Sequence, residues 1–204
     1  AKAAAHYDRH QVVTINEGEL LVGTRPGLTA DPAGEVTQNV FGRVHFAPPP
    51  ASFWPVPDET HAFWREGLFA MAGNHTTLDY EQIFAEGFRG IIGRVERRLE
   101  QLDEKGPDAA AKRDFLTALK IVGEGFLGLS QRYADAAEEH AAQTSDPARK
   151  QELQTIARNC RRVPANPPET FWEACQCAWF SFFFLPDAPG RLDQYLYPCY
   201  QRDL

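Results

Sequence analysis

From Asp79 onward, apolar residues recur at spacings of three and four. Tyr80, Ile83, Phe84, Phe88, Ile91, Ile92, Val95, Leu99 and Leu102 form one such series, with charged residues filling the other side. That period predicts a core-facing amphipathic helix, closed by Gly106-Pro107. Gly87, Gly90 and Gly93 interrupt it at spacing three. Each costs about 1 kcal/mol in a helix interior, so another backbone is expected to pack closely there. A second helix is predicted from near Pro107, through Phe115, Leu119, Val122, Phe126, Leu129, Tyr133 and Ala137, to about Thr144. Ser145-Asp146-Pro147 reads as the cap and first-turn proline of a third, which carries Leu153, Ile156 and Ala157 and stops before Val163-Pro164. Pro167-Pro168-Glu169 then opens the segment Phe171 to Phe184, apolar on nearly every side. Such a helix is expected to be buried all round.

The beginning of the chain reads differently. Between Thr24 and Pro57 lie Gly27, Gly34, Gly42 and seven prolines, with no sustained period. Proline fixes φ and removes backbone donors, so residues 1–57 are expected to form an irregular, surface-wrapping arm. Within that arm the apolar run Glu19 to Gly23 suggests one short strand. Residues 58–204 are expected to be a helical region, which makes the chain mainly α.

Composition adds limits rather than chemistry. The 204 residues are 43% hydrophobic and 24% charged, which excludes a disordered or collagen-like chain. A formal charge of -7 repels phosphate backbones and anionic membranes, so neither nucleic acid nor a membrane is an expected partner. The most apolar stretch, Ala178 to Leu185, is too short to span a bilayer. Four cysteines and no basic-then-apolar leader point to free thiols in a reducing cytoplasm.

Few residues offer chemistry by their spacing. Cys175 and Cys177, two apart on a helix, point to different sides and have no nearby His, so buried structural thiols are the better reading than a metal site. Cys160, beside Arg161 and Arg162, and Cys199 stand alone, without a base to activate them. His75, in Ala72-Gly73-Asn74-His75-Thr76-Thr77, sits at a turn where it serves as acid, base or ligand, or simply caps a helix entrance. Arg149, Arg158, Arg161 and Arg162 make a local basic face of the kind usually solvated. Most suggestive is Leu185-Pro186-Asp187-Ala188-Pro189-Gly190-Arg191-Leu192-Asp193-Gln194-Tyr195. It delivers a planar cation and two carboxylates directly after an apolar helix, either as a polar anchor in a pocket or as an Arg–Asp pair tying a turn. Spacing alone leaves both open.

Several segments, taken in order, resemble one family. Ile15-Asn16-Glu17-Gly18-Glu19-Leu20-Leu21-Val22-Gly23 is similar to an early element of the glycyl radical enzymes of the pyruvate formate-lyase type, especially the dehydratase and choline trimethylamine-lyase branch. Ala72-Gly73-Asn74-His75, Asp79-Tyr80-Glu81 and Gly87-Phe88-Arg89-Gly90-Ile91 resemble that family's helix entrance, with Asn74 inserted. Arg132-Tyr133-Ala134 follows, then Arg149-Lys150 with Glu152-Leu153 and Ile156-Ala157, and Val163-Pro164. Pro167-Pro168 with Thr170-Phe171, Glu173-Ala174 and Gln176, and Gly190-Arg191 with Asp193-Gln194-Tyr195-Leu196-Tyr197-Pro198, complete the series in the family's order.

The resemblance implies an N-terminal helical region that in the family packs around a ten-stranded α/β barrel. It also implies radical chemistry. A glycyl radical, installed by a separate iron–sulfur S-adenosylmethionine activase, oxidises a cysteine to a thiyl that abstracts hydrogen from a small substrate. The family carries that cysteine in a Cys-x-Glu motif and the glycine in an Arg-Val-x-Gly-Tyr-like motif; neither motif is present in these 204 residues. The expectation is therefore an N-terminal portion that binds no cofactor itself and is inactive without the barrel portion, in an enzyme that is a homodimer at full length. Carried over by position, Leu185, Asp187, Arg191 and Asp193 are the candidate substrate-binding residues. The alternative is a stand-alone helical subunit or assembly module derived from the same family.

Overall fold

The 35-residue helix α3 (Ala109–Gln143) is the element around which the others gather, and its composition explains why. Phe126, Leu129, Tyr133, Ala134, Ala137 and Ala141 fall on one face, and every one of them is buried. A computed structural model describes residues 1–10, 12–23, 77–184 and 190–204. These belong to one compact unit, Ala1–Pro26 with Thr77–Leu204. Besides α3, the described helices are α1 (Lys2–His10), α2 (Tyr80–Glu100), α4 (Pro147–Arg162), α5 (Phe171–Phe184), α6 (Leu192–Tyr195) and α7 (Tyr197–Asp203). No strand occurs among the described residues.

The helices α1, α2 and α4 pack on α3, while α5 packs against α2, α4 and α7. The main core joins the α3 face to Leu153, Ile156, Ala157 and Cys160 of α4 and to Phe180 of α5, with Ile15 and Val22 sealing it. Each fully buried large apolar side chain there contributes roughly 1.5–3 kcal/mol. Phe88 meets Phe126 edge to face with ring centroids 5.0 Å apart, linking α2 to this core. Caps set the starts as the sequence indicates. Asp79 accepts from Gln82 N (3.0 Å) ahead of α2, and Asp146 accepts from Ala148 N (2.9 Å) ahead of α4, with Pro147 in the first turn.

Three features differ from the sequence expectation. First, the segment before Thr24 is not irregular throughout: Lys2–His10 is helical and packs on α3 so closely that a Cβ on Gly125 would lie 2.7 Å from Ala5 Cα. The run Glu19 to Gly23 is not a strand either. Its backbone bonds are taken by side chains of α5 at positions i, i+4 and i+7. Trp172 Nε1 donates to Leu20 O (3.0 Å), Gln176 accepts from Val22 N (2.9 Å) and donates to Val22 O (2.7 Å), and Trp179 Nε1 donates to Gly23 O (2.9 Å). Arg149 adds donors to Glu19 O (3.0 Å) and Asn16 O (3.3 Å). The rest of the arm lies outside the described residues.

Second, of the three glycines in α2, only Gly87 meets another backbone. It adopts φ 64° and ψ 171°, breaking the helix, and a Cβ there would sit 2.4 Å from Ala165 O. The break frees Phe88 N and Arg89 N to donate to Pro164 O (2.9 Å) and Ala165 O (3.0 Å). Gly90 and Gly93 face side chains of their own helix, Glu86 and Arg97. Third, α5 is not buried all round. Its polar residues Glu173, Gln176 and Ser181 are buried, while Phe171, Trp172, Cys175, Trp179 and Phe182 are half-buried. Each buried polar group has a backbone partner, which is what makes its burial tolerable.

Candidate functional site

The stretch that combines charge with a buried aromatic helix is described from Gly190 on. Leu185 and Asp187, like His75, lie outside the described residues. Gly190 has φ 67°, and a Cβ on it would lie 2.5 Å from Thr77 Cγ2, so the chain turns tightly against the approach to α2. Five residues on, Tyr195 stacks on Tyr80 with ring centroids 4.0 Å apart and an interplanar angle of 12°. Phe84, one helical turn after Tyr80, meets Tyr195 edge on at 5.8 Å. Residues Gly190 to Tyr195 are thus clamped at both ends to the first turns of α2.

Between the clamps, Arg191 and Asp193 form a two-pronged pair, Nε to Oδ1 at 2.8 Å and Nη2 to Oδ2 at 2.6 Å. The side chains are 70% and 64% exposed. Hydrogen bonds from Arg191 hold the Asp193 carboxyl below its usual range, and the same pairing raises the Arg191 guanidinium. The fork matches a carboxylate in shape and charge, so the two candidates satisfy each other within the described residues. The clamp partners Thr77, Tyr80 and Phe84 were not among the sequence candidates. The available signal was the i, i+4 aromatic pair Tyr80 and Phe84 at a capped helix start, but its meeting with Tyr195 depends on tertiary packing.

Burial works against activation at three of the thiols. Burial pushes the Cys177 thiol up to about 12, and it raises Cys160 and the half-buried Cys175 as well. The arginines next to Cys160 are engaged elsewhere, Arg161 with Glu138 and Asp135 and Arg162 with Glu169 and Glu173. Among the described residues no group of three or more His, Cys, Asp or Glu is placed to hold a metal ion. No described helix is long and apolar enough to cross a membrane.

A capped helical unit with a clamped Gly-Arg-x-Asp-Gln-Tyr turn after an aromatic helix defines a particular scaffold, and the comparisons say which one. The Pyruvate formate lyase-like family model matches residues 56–204, and the chain belongs to that family of glycyl radical enzymes. It is 40% identical over 259 residues to isethionate sulfite-lyase from Nitratidesulfovibrio vulgaris, covering 100% of this chain and 31% of that protein. It is 36% identical over 149 residues to (2S)-3-sulfopropanediol dehydratase from Klebsiella oxytoca, covering 69% of this chain and 18% of that protein. The crystal structure of a glycyl radical enzyme from Archaeoglobus fulgidus superposes with a TM-score of 0.74 at 28% identity, over 98% of this chain and 31% of that one. The chain thus spans less than a third of the length of the relatives it matches.

Proposed function

We propose that this chain furnishes the N-terminal helical part of a glycyl radical lyase or dehydratase, which cleaves a C–O, C–S, C–N or C–C bond of a small substrate after hydrogen abstraction by a thiyl radical. The observation that carries this reading is the family match over residues 56–204, supported by relatives that are a dehydratase and a sulfite-lyase. The chain's own contribution is a wall of the substrate pocket. Leu185 and Asp187 supply it from the segment after α5, and Arg191 and Asp193 from the clamped turn. A substrate carboxylate or sulfonate would compete with Asp193 for the Arg191 fork, and a hydroxyl or cationic group would compete with Arg191 for Asp193. The thiyl-forming cysteine and the radical glycine belong to the barrel portion of an enzyme that is a homodimer at full length, and a separate iron–sulfur S-adenosylmethionine activase installs the radical. The reducing cytoplasm is the compartment suited to such chemistry.

Anaerobic reconstitution tests this reading. The chain is combined with a barrel portion carrying the Cys-x-Glu and Arg-Val-x-Gly-Tyr-like motifs and treated with the activase. The expected result is the doublet EPR signal of a glycyl radical, together with turnover of a small hydroxylated or sulfonated compound that falls when Arg191 is replaced by Gln. A well-folded assembly that never develops the doublet would sink the proposal.

A further inference from the structure

The last helix, α7, lies against the start of α5, and the contacts that join the two run in opposite directions. Phe171 N donates to Asp203 Oδ2 (2.5 Å), and the Phe171 ring meets the Tyr200 ring edge to face at 5.5 Å. One helical turn forward along α5 from Phe171 is Cys175, and one turn back along α7 from Asp203 is Cys199. Residues four apart share a helix face, so an antiparallel pair that joins Phe171 to Asp203 sets Cys175 opposite Cys199. The electrostatics agree with this register. Burial pushes the Cys175 thiol up, and the charge of Cys199 adds to the rise. Cys175 in turn adds to the upward shift of Tyr195, after burial and Tyr80, which places the thiol pair beside the clamped turn.

The two thiols differ in access. Cys175 is half-buried and Cys199 is buried. An oxidant from solution therefore meets Cys175 first, and Cys199 needs to meet only Cys175. A disulfide requires Cβ atoms about 3.5–4.5 Å apart, a separation open to facing positions of packed helices. Cys177 is a poor partner for Cys175, because two residues along the same helix its Cβ points to another side. Cys160 belongs to α4 and is buried in the main core.

We propose that Cys175 and Cys199 form a redox-sensitive dithiol, which a low-molecular-weight disulfide converts into a cross-link fastening α7 to α5. The Cys175 thiolate attacks one sulfur of the small disulfide, whose S–S bond breaks and releases one thiol. The Cys199 thiolate then attacks Cys175 Sγ and releases the second. The two electrons and two protons of the cysteines end on the two released thiols. The test is incubation of the folded 204-residue chain with oxidised glutathione, followed by acid quenching, alkylation in urea with N-ethylmaleimide and tryptic mass spectrometry. Mildly alkaline buffer is used, because the thiolate is the reacting form. The expected product is a single chain lighter by two hydrogen atoms, with residues 163–191 and 192–202 joined through Cys175 and Cys199. Cys160 and Cys177 should be alkylated, and dithiothreitol should reverse the link. Cys199→Ser should instead retain one glutathione on Cys175, and Cys177→Ser should cross-link as the parent does. In urea, where the register is lost, the Cys175–Cys199 link should fall to one pairing among several. Should Cys199→Ser fail to fold, the linkage map of the parent chain decides the matter. A glutathione adduct that persists on Cys175 of the folded parent, a link from Cys175 to Cys177, or a link between two chains would each overturn the proposal. So would four thiols still open to alkylation, or a Cys175–Cys199 yield no higher in the folded chain than in urea.

Discussion

Two glycines seven and thirteen residues into α2 look alike in the sequence and behave oppositely in the fold. Gly87 combines a left-handed φ with Ala165 O at 2.4 Å from the Cβ it lacks, so any side chain there must push two backbones apart. Gly93 is helical, and its added Cβ would meet only Arg97 Nη1 at 3.6 Å, an ordinary contact with the far end of a flexible side chain. Gly87→Ala is therefore expected to destabilise the chain by about 2 kcal/mol or more. Gly93→Ala is expected to stabilise it by roughly 0.5–1 kcal/mol. Urea unfolding of the two variants beside the parent chain checks the sign, and a shared sign would refute the assignment. The spacing-three pattern showed that something approaches this helix. It could not show that Pro164 and Ala165 do so at one glycine only, because they lie more than seventy residues away in sequence.

At the scale of elements, the helices were legible because each is written locally: the apolar face of α3, Asp79 ahead of α2 and Asp146-Pro147 ahead of α4. The run Glu19 to Gly23 reads as a short strand and is not one, for a physical reason. An apolar run with extended backbone needs partners for its N–H and C=O groups, and a sequence does not say whether another backbone or side chains will supply them. Here Trp172, Gln176 and Trp179 do, which also explains why an aromatic helix carries a glutamine on its buried side. The start of α5 follows the same logic. Thr170 and Glu173 form a reciprocal cap, Thr170 Oγ1 accepting from Glu173 N and Glu173 Oε2 from Thr170 N, so the Thr-x-x-Glu spacing has a mechanical reason. Gln176→Leu keeps the volume but leaves both Val22 groups unpaired in a buried site, at a cost of about 2–4 kcal/mol. Hydrogen exchange provides the discriminating readout. Val22 N–H should be protected in the parent chain and exchange much faster in the variant, whereas amides in the middle of α3 should change only by the global loss of stability. Unchanged Val22 protection would mean that the strap is held by the tryptophans and Arg149 instead.

For the whole molecule, the charged surface and the buried thiols give stability a lopsided pH dependence. The carboxylates held below their usual range, Glu138 beside Arg161 and Asp193 beside Arg191, lie on the surface and are screened by water and salt. What they contribute is present above the usual carboxylate range and lost as pH falls, but the acid limb should be shallow. The alkaline limb should be steeper. In the unfolded chain the thiols ionise near 9.0, whereas burial keeps Cys177 protonated to about 12 and raises Cys160 in the same direction, with Tyr80 also pushed upward. Above pH 9 the unfolded state therefore binds fewer protons than the native one, and stability falls as pH rises. This stabilisation is fully present below pH 9 and disappears on the way to about 12, by roughly 1 kcal/mol for each of the two thiols at pH 10. Urea midpoints at pH 7, 8.5 and 10 should be nearly level over the first interval and drop over the second. The double variant Cys160→Ala/Cys177→Ala should start less stable but lose much of that slope, because it removes the groups that titrate only on unfolding. If the parent and the double variant fall equally between pH 8.5 and 10, the two thiols are open to solvent, and the packing of α4 and α5 against the core is not as described.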